Sequence, residues 1–378
     1  MSTRTIYFSR FFPTYRMGGG CRRMMQIYEL LAGIFPKLQL IDQSWGDDAQ
    51  AMRIKKIRTS SKRTDFFAPH RRSISIRKWE GERLSMAFRF RKLSLLWLRS
   101  IPELPALKLA FMDDPIYFLP LLKQLLRWRI PVIAICHNFE TLAPGQVKKK
   151  QAIDFFQEEL EVLSRCRLVV TISREEDVLL NNLGIPSLFF PYYPGEPIVQ
   201  RLLAVRAERI STLKQGFLAL GNAMNTQTRE GLRRLGHFWQ ENKLAAIAGK
   251  LILGGFKAEK FLNAAEFGFG IDFLGTMDPV NLDRLLARIK AFLCYQKDGS
   301  GALTRICEML IAGIPVLANS HAARSYYHMK GLIEFRDLDS LANALGQLNE
   351  FHGEVPAPRK PDPTPLISCL QEYSGGGN

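Results

Sequence analysis

The sequence predicts an α/β protein with two Rossmann-like domains that face each other across a cleft. Short apolar, β-branched runs alternate with longer segments of helical period along the chain, as in parallel sheets with crossover helices. The alternation breaks at the Pro- and Gly-rich segment 191–197. A chain of 378 residues with 47% hydrophobic residues can fill two cores. We therefore predict a first domain at 1–195, a linker at 196–215, a second domain at 216–352 and a tail at 353–378.

The predicted elements follow from these runs. In the first half we expect strands at 5–8, 107–112, 131–136, 168–172 and 187–190, and helices at 21–34, 116–128, 152–164 and 174–183. In the second half we expect strands at 217–220, 244–248, 271–274, 291–295, 315–318 and 332–335, with helices at 228–241, 279–289, 304–312 and 338–348. Two such sheets place their ligands at the carboxyl ends of the strands. Residues that follow strands are therefore the candidates for a site.

Positive charge is concentrated in one segment. The chain carries a net charge of +16, and residues 53–99 hold 15 Lys and Arg against three acids. Clustered cations favour nucleic acid, polyanions or an anionic membrane surface. Aromatic and aliphatic residues between the cations favour an interfacial membrane segment, and no nucleic-acid-binding motif accompanies the charge. These apolar residues are Phe66, Phe67, Trp79, Phe88, Phe90, Leu95, Leu96 and Trp97. A solvated helical face is the alternative interpretation.

The cysteines and the apolar runs indicate the compartment. The six cysteines are far apart and lack zinc-site spacing, so we expect reduced structural thiols. The first residues lack the features of a signal peptide, and no apolar run reaches the ~20 residues that a membrane-spanning helix needs. We expect a cytoplasmic protein that can lie peripherally at the inner face of a membrane.

The strongest motif for chemistry lies in segment 297–318, where a strand, a glycine loop, a helix and a second strand follow one another. The loop Gly299-Ser300-Gly301 leaves backbone N–H groups bare, and the start of the helix adds its positive dipole end, so a diphosphate fits there. Thr304 begins this helix, and Arg305 in its first turn offers charge-assisted donors. Glu308, one turn on, can accept hydrogen bonds from a ribose diol.

This segment resembles the donor-nucleotide motif of family-four-like glycosyltransferases, which have the GT-B fold. The branch in question has Gly-x-Gly, a basic residue and then Glu-Ala-Leu-Ala-x-Gly-x-Pro-Val-Val. The resemblance implies that Glu308 binds the ribose and that Arg305 lies near the phosphates. The more widespread form of the motif has a second glutamate where this chain has Ser300, which affects the contact to the hydroxyls of the donor sugar.

Other segments resemble the same family. The glycine loop that ends in Gly18, Gly19 and Gly20 is similar to the loop that approaches the donor diphosphate, and an ordinary strand-to-helix turn is the alternative. His137 ends a buried strand where the family has a histidine beside the reacting sugar, so it can donate to a sugar hydroxyl or polarise the leaving group. Asn222 lies in a loop similar to one that reaches the donor.

Three smaller patterns complete the prediction. Lys250 after the predicted strand 244–248 is a second candidate phosphate cation, with an exposed lysine as the alternative. Asp113-Asp114 before a proline is typical of turn and cap chemistry. Ser173 with Glu176 predicts a capping box at a helix start. No convincing Asp-x-Asp metal motif occurs, so we expect no metal and no other cofactor.

The resemblance implies a metal-independent, retaining hexosyltransferase that uses a nucleoside diphosphate sugar as co-substrate. The expected acceptor is a hydroxyl of a lipid-linked or surface-polysaccharide glycan. A GT-B-like module that binds a nucleotide or partner without catalysis is the alternative, since Ser300 replaces a glutamate. A nucleotide-sugar epimerase would share the architecture, but the acid and base residues it needs do not assemble in the sequence.

Overall fold

In the part of the chain that the structure describes, two parallel sheets of six strands each form the centres of the protein. A computed structural model describes residues 4–11, 14, 18–42, 81–142, 152–351 and 353–375. Helices connect and flank the strands of both sheets. The predicted α/β class with two Rossmann-like sheets is confirmed.

The first sheet has the strand order β2-β1-β3-β4-β5-β6. Its strands are β1 Thr5–Phe8, β2 Leu38–Ile41, β3 Leu109–Asp113, β4 Val132–Cys136, β5 Leu168–Thr171 and β6 Ser187–Phe189. The helices in this part are α1 Gly19–Ile34, α2 Gly81–Ser100, α3 Leu119–Arg127, α4 Ala152–Leu163 and α5 Arg174–Asn182. The sequence prediction missed β2, because this edge strand is only half-buried and lacks a continuous apolar run.

The second sheet has the order β12-β11-β10-β7-β8-β9. Its strands are β7 Phe217–Leu220, β8 Leu251–Gly254, β9 Ile271–Phe273, β10 Ala291–Cys294, β11 Val316–Asn319 and β12 Leu332–Phe335. The remaining helices are α6 Glu196–Ser211, α7 Thr226–Glu241, α8 Leu244–Ile247, α9 Ala258–Phe261, α10 Pro279–Arg288, α11 Thr304–Ile311, α12 Ser320–Ala323, α13 Leu341–Glu350 and α14 Thr364–Gly375.

The predicted strand at 244–248 is wrong. These residues form the short helix α8, and the strand β8 begins at Leu251. Ile247 is 77% exposed, whereas Leu251 and Leu253 are fully buried. Two short apolar runs stand side by side here, and periodicity alone does not separate a helical turn from a strand over so few residues.

Along its described residues, the chain crosses between the two sheets twice. After β6 it enters α6 within the predicted linker, and Ile198, Leu202 and Val205 of this helix join a core cluster of the second sheet. After residue 353 the chain returns, and α14 lies within the predicted tail. Leu366 and Leu370 of α14 are buried in a core cluster of the first sheet. The last described helix therefore packs on the sheet that contains the first strand.

Helix α2 is the described part of the basic segment, since residues 53–80 lie outside the described residues. Trp97 is fully buried and stacks between Phe8 and Phe118, with ring centroids 5.7 Å and 5.5 Å away. Phe90 is buried beside the Phe118 ring, with centroids 5.3 Å apart. The prediction that these two aromatic side chains are interfacial is therefore wrong, because they are core residues. Phe88 on the opposite face is 55% exposed.

Candidate functional site

The two domains touch where the predicted glycine loop meets the predicted donor helix. Gly19 begins α1, and a Cβ atom at this position would clash with the Thr304 side chain at the start of α11. A Cβ atom at Gly20 would clash with the Phe11 ring, whereas Gly18 has open space around it. The absence of a side chain at Gly19 and Gly20 thus lets the start of α1 approach α11 and the Phe11 ring closely. Residues 12, 13 and 15–17 of the predicted loop lie outside the described residues.

Glu308 of α11 is buried and has two partners from the predicted first domain. Its Oε2 accepts from Nη1 of Arg22 at 2.5 Å, and its Oε1 accepts from the hydroxyl of Tyr192 at 2.7 Å. Burial opposes the charge of Arg22, but the Glu308 carboxylate outweighs it and raises the pKa of Arg22. Burial, with the Glu308 charge, raises the pKa of Tyr192 as well. Sequence reasoning missed Arg22 and Tyr192, because both contacts span more than 100 residues.

Arg305 lies at the carboxyl end of the second sheet, as predicted, but its guanidinium is held by protein groups. Nη2 donates to Oγ1 of Thr228 at 3.1 Å, and Nη1 donates to the carbonyl oxygen of Leu220 at the end of β7. A Cβ atom at Gly221 would clash with this guanidinium. The cavity beside these groups measures about 10 Å³, which is space for about one water molecule.

Asn222 and Lys250, which the sequence predicted to contact the donor, lie at opposite ends of the second sheet. Asn222 lies near Arg305 in the loop after β7, and its Oδ1 accepts from the backbone N–H of Met224 at 3.0 Å, so its side chain supports a turn. Lys250 precedes β8, so it lies at the amino end of the sheet, away from the candidate site. It pairs with Asp272 at 3.3 Å on the surface. The structure contradicts the proposed phosphate contact of Lys250, because the predicted strand 244–248 ended at the wrong residue.

The loop Gly299-Ser300-Gly301 is fixed against the first domain. The Gly301 N–H donates to Oε1 of Glu176 at 2.6 Å. This donor is therefore occupied, whereas the sequence predicted a bare N–H group. Oγ of Ser300 donates to the Phe139 carbonyl oxygen at 2.8 Å. Arg324 donates to the carbonyl oxygens of Gly301 and Ser300 at 2.6 and 2.7 Å. Gly301 has φ +72, and a Cβ atom there would clash with the backbone carbonyl of His137.

Glu176 is the buried carboxyl that connects α5 to this loop. Ser173 accepts from the Glu176 N–H at 3.4 Å and is the predicted N-cap. The Glu176 side chain does not return to Ser173, so the predicted capping box is wrong. Its Oε1 accepts from Gly301 and from the Phe139 N–H, and its Oε2 is buried and has no hydrogen-bond partner among the described residues. Burial raises the pKa of Glu176 to about 7.

His137 follows β4 and lies beside the same loop. Its Nε2 is 3.4 Å from Oδ1 of Asp113, and its backbone N–H donates to Oδ1 of Asp114 at 3.0 Å. The Phe11 ring lies against the imidazole, with centroids 4.5 Å apart. Asp114 has φ 38 before Pro115, as expected for a turn. Both aspartates are nevertheless buried and contact His137, which the sequence pattern did not indicate.

A buried ion network lies behind His137. Arg10 donates to Asp114 at 2.7 Å and to Glu140 at 2.6 Å. Tyr117 donates its hydroxyl to Glu140 at 2.8 Å. These groups come from the ends of β1, β3 and β4, so the network holds the carboxyl edge of the sheet in one arrangement.

No group of three or more His, Cys, Asp or Glu side chains in the described ranges is arranged to hold a metal ion. No described helix combines the length and apolar character that crossing a bilayer requires.

The chain matches no protein-family model and no curated protein sequence. It is similar in structure to a sucrose-phosphate synthase from Thermosynechococcus elongatus, with a TM-score of 0.60, 14% identity and coverage of 98% of this chain and 94% of that one. Anabaena HepE in complex with UDP gives a TM-score of 0.56 and 11% identity over 99% and 95% of the two chains. The UDP-GlcNAc 2-epimerase of Methanocaldococcus jannaschii gives 0.55 and 12% identity over 98% and 99%.

These similarities cover nearly the whole of each chain, with both sheets included. Structural similarity at such low sequence identity establishes the fold but not the activity. The activity has to be inferred from the residues of the site. The chain therefore has the GT-B architecture, with its candidate site between two Rossmann-like domains.

Proposed function

We propose that the protein is a glycosyltransferase that moves a sugar from a nucleoside diphosphate sugar to a hydroxyl acceptor. The observation that carries this proposal is the position of Arg305 and Glu308 on the first turns of α11, at the carboxyl end of the second sheet. Across the cleft from them lie the start of α1 and His137. This set offers cationic donors for a diphosphate, a carboxylate for a ribose and an imidazole for the sugar.

We expect donor binding to require the two domains to separate, because Arg22 and Tyr192 hold the Glu308 carboxylate and Gly19 lies against Thr304. The cavity of about 10 Å³ beside Arg305 is lined by residues of the second domain and is far too small for a nucleotide. On opening, Glu308 exchanges Arg22 for the ribose hydroxyls, and Arg305 exchanges the Leu220 carbonyl for phosphate oxygens. The start of α11 adds its positive dipole end to the same phosphate.

The proposed chemistry is one group transfer. The bond from the anomeric carbon to the diphosphate oxygen breaks, and the acceptor oxygen forms the new bond to that carbon. In the retaining course implied by the family resemblance, the acceptor proton passes to the departing phosphate oxygen on the same face of the sugar. Arg305 and the helix start stabilise the charge that develops on the diphosphate, without a metal ion or other cofactor.

The proposed acceptor is a lipid-linked or surface-polysaccharide glycan, reached at the cytoplasmic face of a membrane. The support is the charge of residues 53–99, which carry 15 Lys and Arg against three acids. Flotation with anionic and with neutral vesicles at low salt tests this part. Binding to anionic vesicles alone supports it, and absence of binding to both contradicts it.

The donor site is tested with a panel of UDP-, GDP-, ADP- and dTDP-sugars. UDP-sugars come first, since HepE is named as a complex with UDP and two other similar structures are named UDP-forming synthases. Wild type is compared with Arg305→Ala and Glu308→Ala, with Lys250→Ala as the matched control at the opposite end of the sheet. Saturable binding that is lost in the first two variants and kept in the third supports the assignment. A folded wild type that binds no nucleotide contradicts it.

A GT-B module that binds without catalysis is the second candidate. The favouring observation is that Arg305, Glu308 and the Gly301 N–H are all engaged by protein groups, while Ser300 stands where related chains have a glutamate. Nucleotide binding without sugar transfer or donor hydrolysis would support this candidate. Conversion of the donor sugar without an acceptor would indicate an epimerase, one of which shares the fold.

A further inference from the structure

We propose that Asp113 is a positioning residue that holds His137 in one tautomer, so that Nδ1 presents its lone pair to a hydroxyl of the bound sugar. The proposal rests on the glycosyltransferase function proposed above. It assigns a role to a residue whose sequence context indicated only turn chemistry.

The Asp113 carboxylate is itself oriented before it reaches the imidazole. Tyr7 donates its hydroxyl to Oδ1 at 2.6 Å, and Ser9 donates its hydroxyl to Oδ2. The Asp113 side chain is fully buried at the end of β3. Hydroxyl groups fix both carboxylate oxygens, so the plane of the carboxylate has little freedom. Oδ1 is also the oxygen that lies 3.4 Å from Nε2 of His137.

The imidazole is held on two further sides. Its own backbone N–H is bound by Asp114, and the Phe11 ring lies against one face at 4.5 Å between centroids. The guanidinium carbon of Arg10 in turn lies 4.6 Å from the centroid of Phe11. With backbone, ring face and Nε2 all fixed, the direction of Nδ1 is fixed as well. Nδ1 makes no hydrogen bond with the residues that the structure describes.

The tautomer follows from the chemistry of the carboxylate. An ionised carboxylate only accepts hydrogen bonds, so Nε2 carries the proton in this contact. In the neutral ring Nδ1 then holds the lone pair and accepts a hydrogen bond. This refines the expectation from the sequence, under which His137 donates to the sugar. The backbone carbonyl of His137 lies against Gly301, so its ring stands next to the loop of the proposed donor site.

A purely structural role for Asp113 would make a different prediction. Tyr7 and Ser9 already satisfy the carboxylate, and the contact to His137 would then be incidental. Substitution would in that case lower stability without changing the tautomer of His137. Two measurements therefore decide the matter, namely the tautomer and the division of the kinetic effect between kcat and KM.

The experiment uses the full chain with 15N-labelled histidine, and the His137→Gln variant assigns the His137 ring signals. For the neutral ring of the wild type we expect a protonated Nε2 and an unprotonated Nδ1. In Asp113→Asn we expect loss of the preference for this tautomer, because an amide can donate to Nε2 as well as accept from it. Glu159→Gln is the matched control. Glu159 is a buried carboxyl in the same domain that accepts from Thr141 and from the backbone N–H of Glu140, and it makes no hydrogen bond with His137 among the described residues.

Activity is measured with the donor identified by the nucleotide panel. Asp113→Asn should lower kcat/KM for the donor by about tenfold to a hundredfold, with part of the loss appearing as a higher KM, since the sugar hydroxyl loses its acceptor when Nδ1 carries the proton. Glu159→Gln should leave both constants within about twofold. Equal losses in the two variants, or an unchanged tautomer in Asp113→Asn, would overturn the proposal.

The tautomer also separates this proposal from the proposed function. A wild-type ring protonated at Nδ1 overturns the role of Asp113 whatever the enzyme does, and this measurement needs no variant to fold. Absence of nucleotide binding contradicts the glycosyltransferase assignment instead. The ring signals then still report whether Asp113 holds His137.

Discussion

Nη1 of Arg22 donates to Oε2 of Glu308 at 2.5 Å, across 286 positions of the chain. Arg22 belongs to the second turn of α1 in the first domain, and Glu308 belongs to α11 in the second. The side chains are 19% and 6% exposed, so the pair is shielded from solvent. The carboxylate proposed to bind a ribose is therefore also the carboxylate that holds the two domains together.

Arg22→Gln should strengthen nucleotide binding. Binding must break this ion pair in the wild type, so weakening it removes part of the cost and lowers Kd by about tenfold, which corresponds to about 1.4 kcal/mol. Titration calorimetry with the preferred nucleotide measures the effect. Arg201→Gln is the control, because Arg201 pairs with Asp283 within the second domain at 3.6 Å. A higher Kd for Arg22→Gln would mean that Arg22 binds the nucleotide itself.

Gly19→Ala should shift the protein towards an open arrangement of its domains. The added methyl group meets the Thr304 side chain, so contact between α1 and α11 is lost. Small-angle X-ray scattering should give a larger radius of gyration than for the wild type. Gly18→Ala is the matched substitution, since a Cβ atom at Gly18 has nothing within 4 Å. The same radius for both variants would contradict a closing role for Gly19.

Stability should fall as the pH rises through the range in which Glu176 ionises. Burial raises the pKa of Glu176 from its ordinary value of 4.5 to about 7 in the folded protein. Between these pH values the unfolded chain binds fewer protons than the folded one, so the free energy of unfolding decreases with increasing pH. Urea unfolding at pH 5 and pH 7.5 measures the change.

Glu176→Gln is the reference for this measurement. It removes the titration, so its stability should depend less on pH than that of the wild type does. The buried Glu159, with a pKa raised to about 8 chiefly by burial, contributes the same trend to both proteins. An equal pH dependence in the two proteins would rule out the contribution of Glu176.

Truncation of a side chain should lower the free energy of unfolding much more on the buried face of α2 than on its exposed face. Trp97→Ala removes a fully buried ring and should lower the free energy of unfolding by about 3–5 kcal/mol. Phe88→Ala changes a side chain that is 55% exposed and should cost about 0.5 kcal/mol or less. Denaturant unfolding compares the two. If Phe88 contacts a membrane, its variant should bind anionic vesicles more weakly while keeping its stability.

Sequence patterns predicted the strands and helices that depend on residues close together in the chain. Buried strands such as Val132–Cys136 are continuous apolar runs, and the helix that begins at Thr304 follows a glycine loop, so both were predictable. The error at Lys250 came from two neighbouring apolar runs that differ in burial but hardly in pattern. Burial is decided by the tertiary structure, which explains why this strand was placed too early.

The contacts that define the site could not be predicted in this way. Glu176 reaches Gly301 across 125 positions, and Asp113 lies beside His137 only because β3 and β4 are neighbours in the sheet. In the sequence, Glu176 is a cap residue and Asp113 a turn residue. Their roles depend on which loops the two sheets bring together.

The return of the chain to the first sheet limits how the protein can move. Two domains that are joined by a single linker can rotate about that linker in any direction. Here the polypeptide passes between the halves near Tyr192 and again between residues 353 and 363, and Leu366 and Leu370 anchor the second passage. Two tethers suppress twisting and favour a bend about the line that joins them. The two domains should therefore open and close by a hinge motion about one axis. Closure ends at the contact between Gly19 and Thr304.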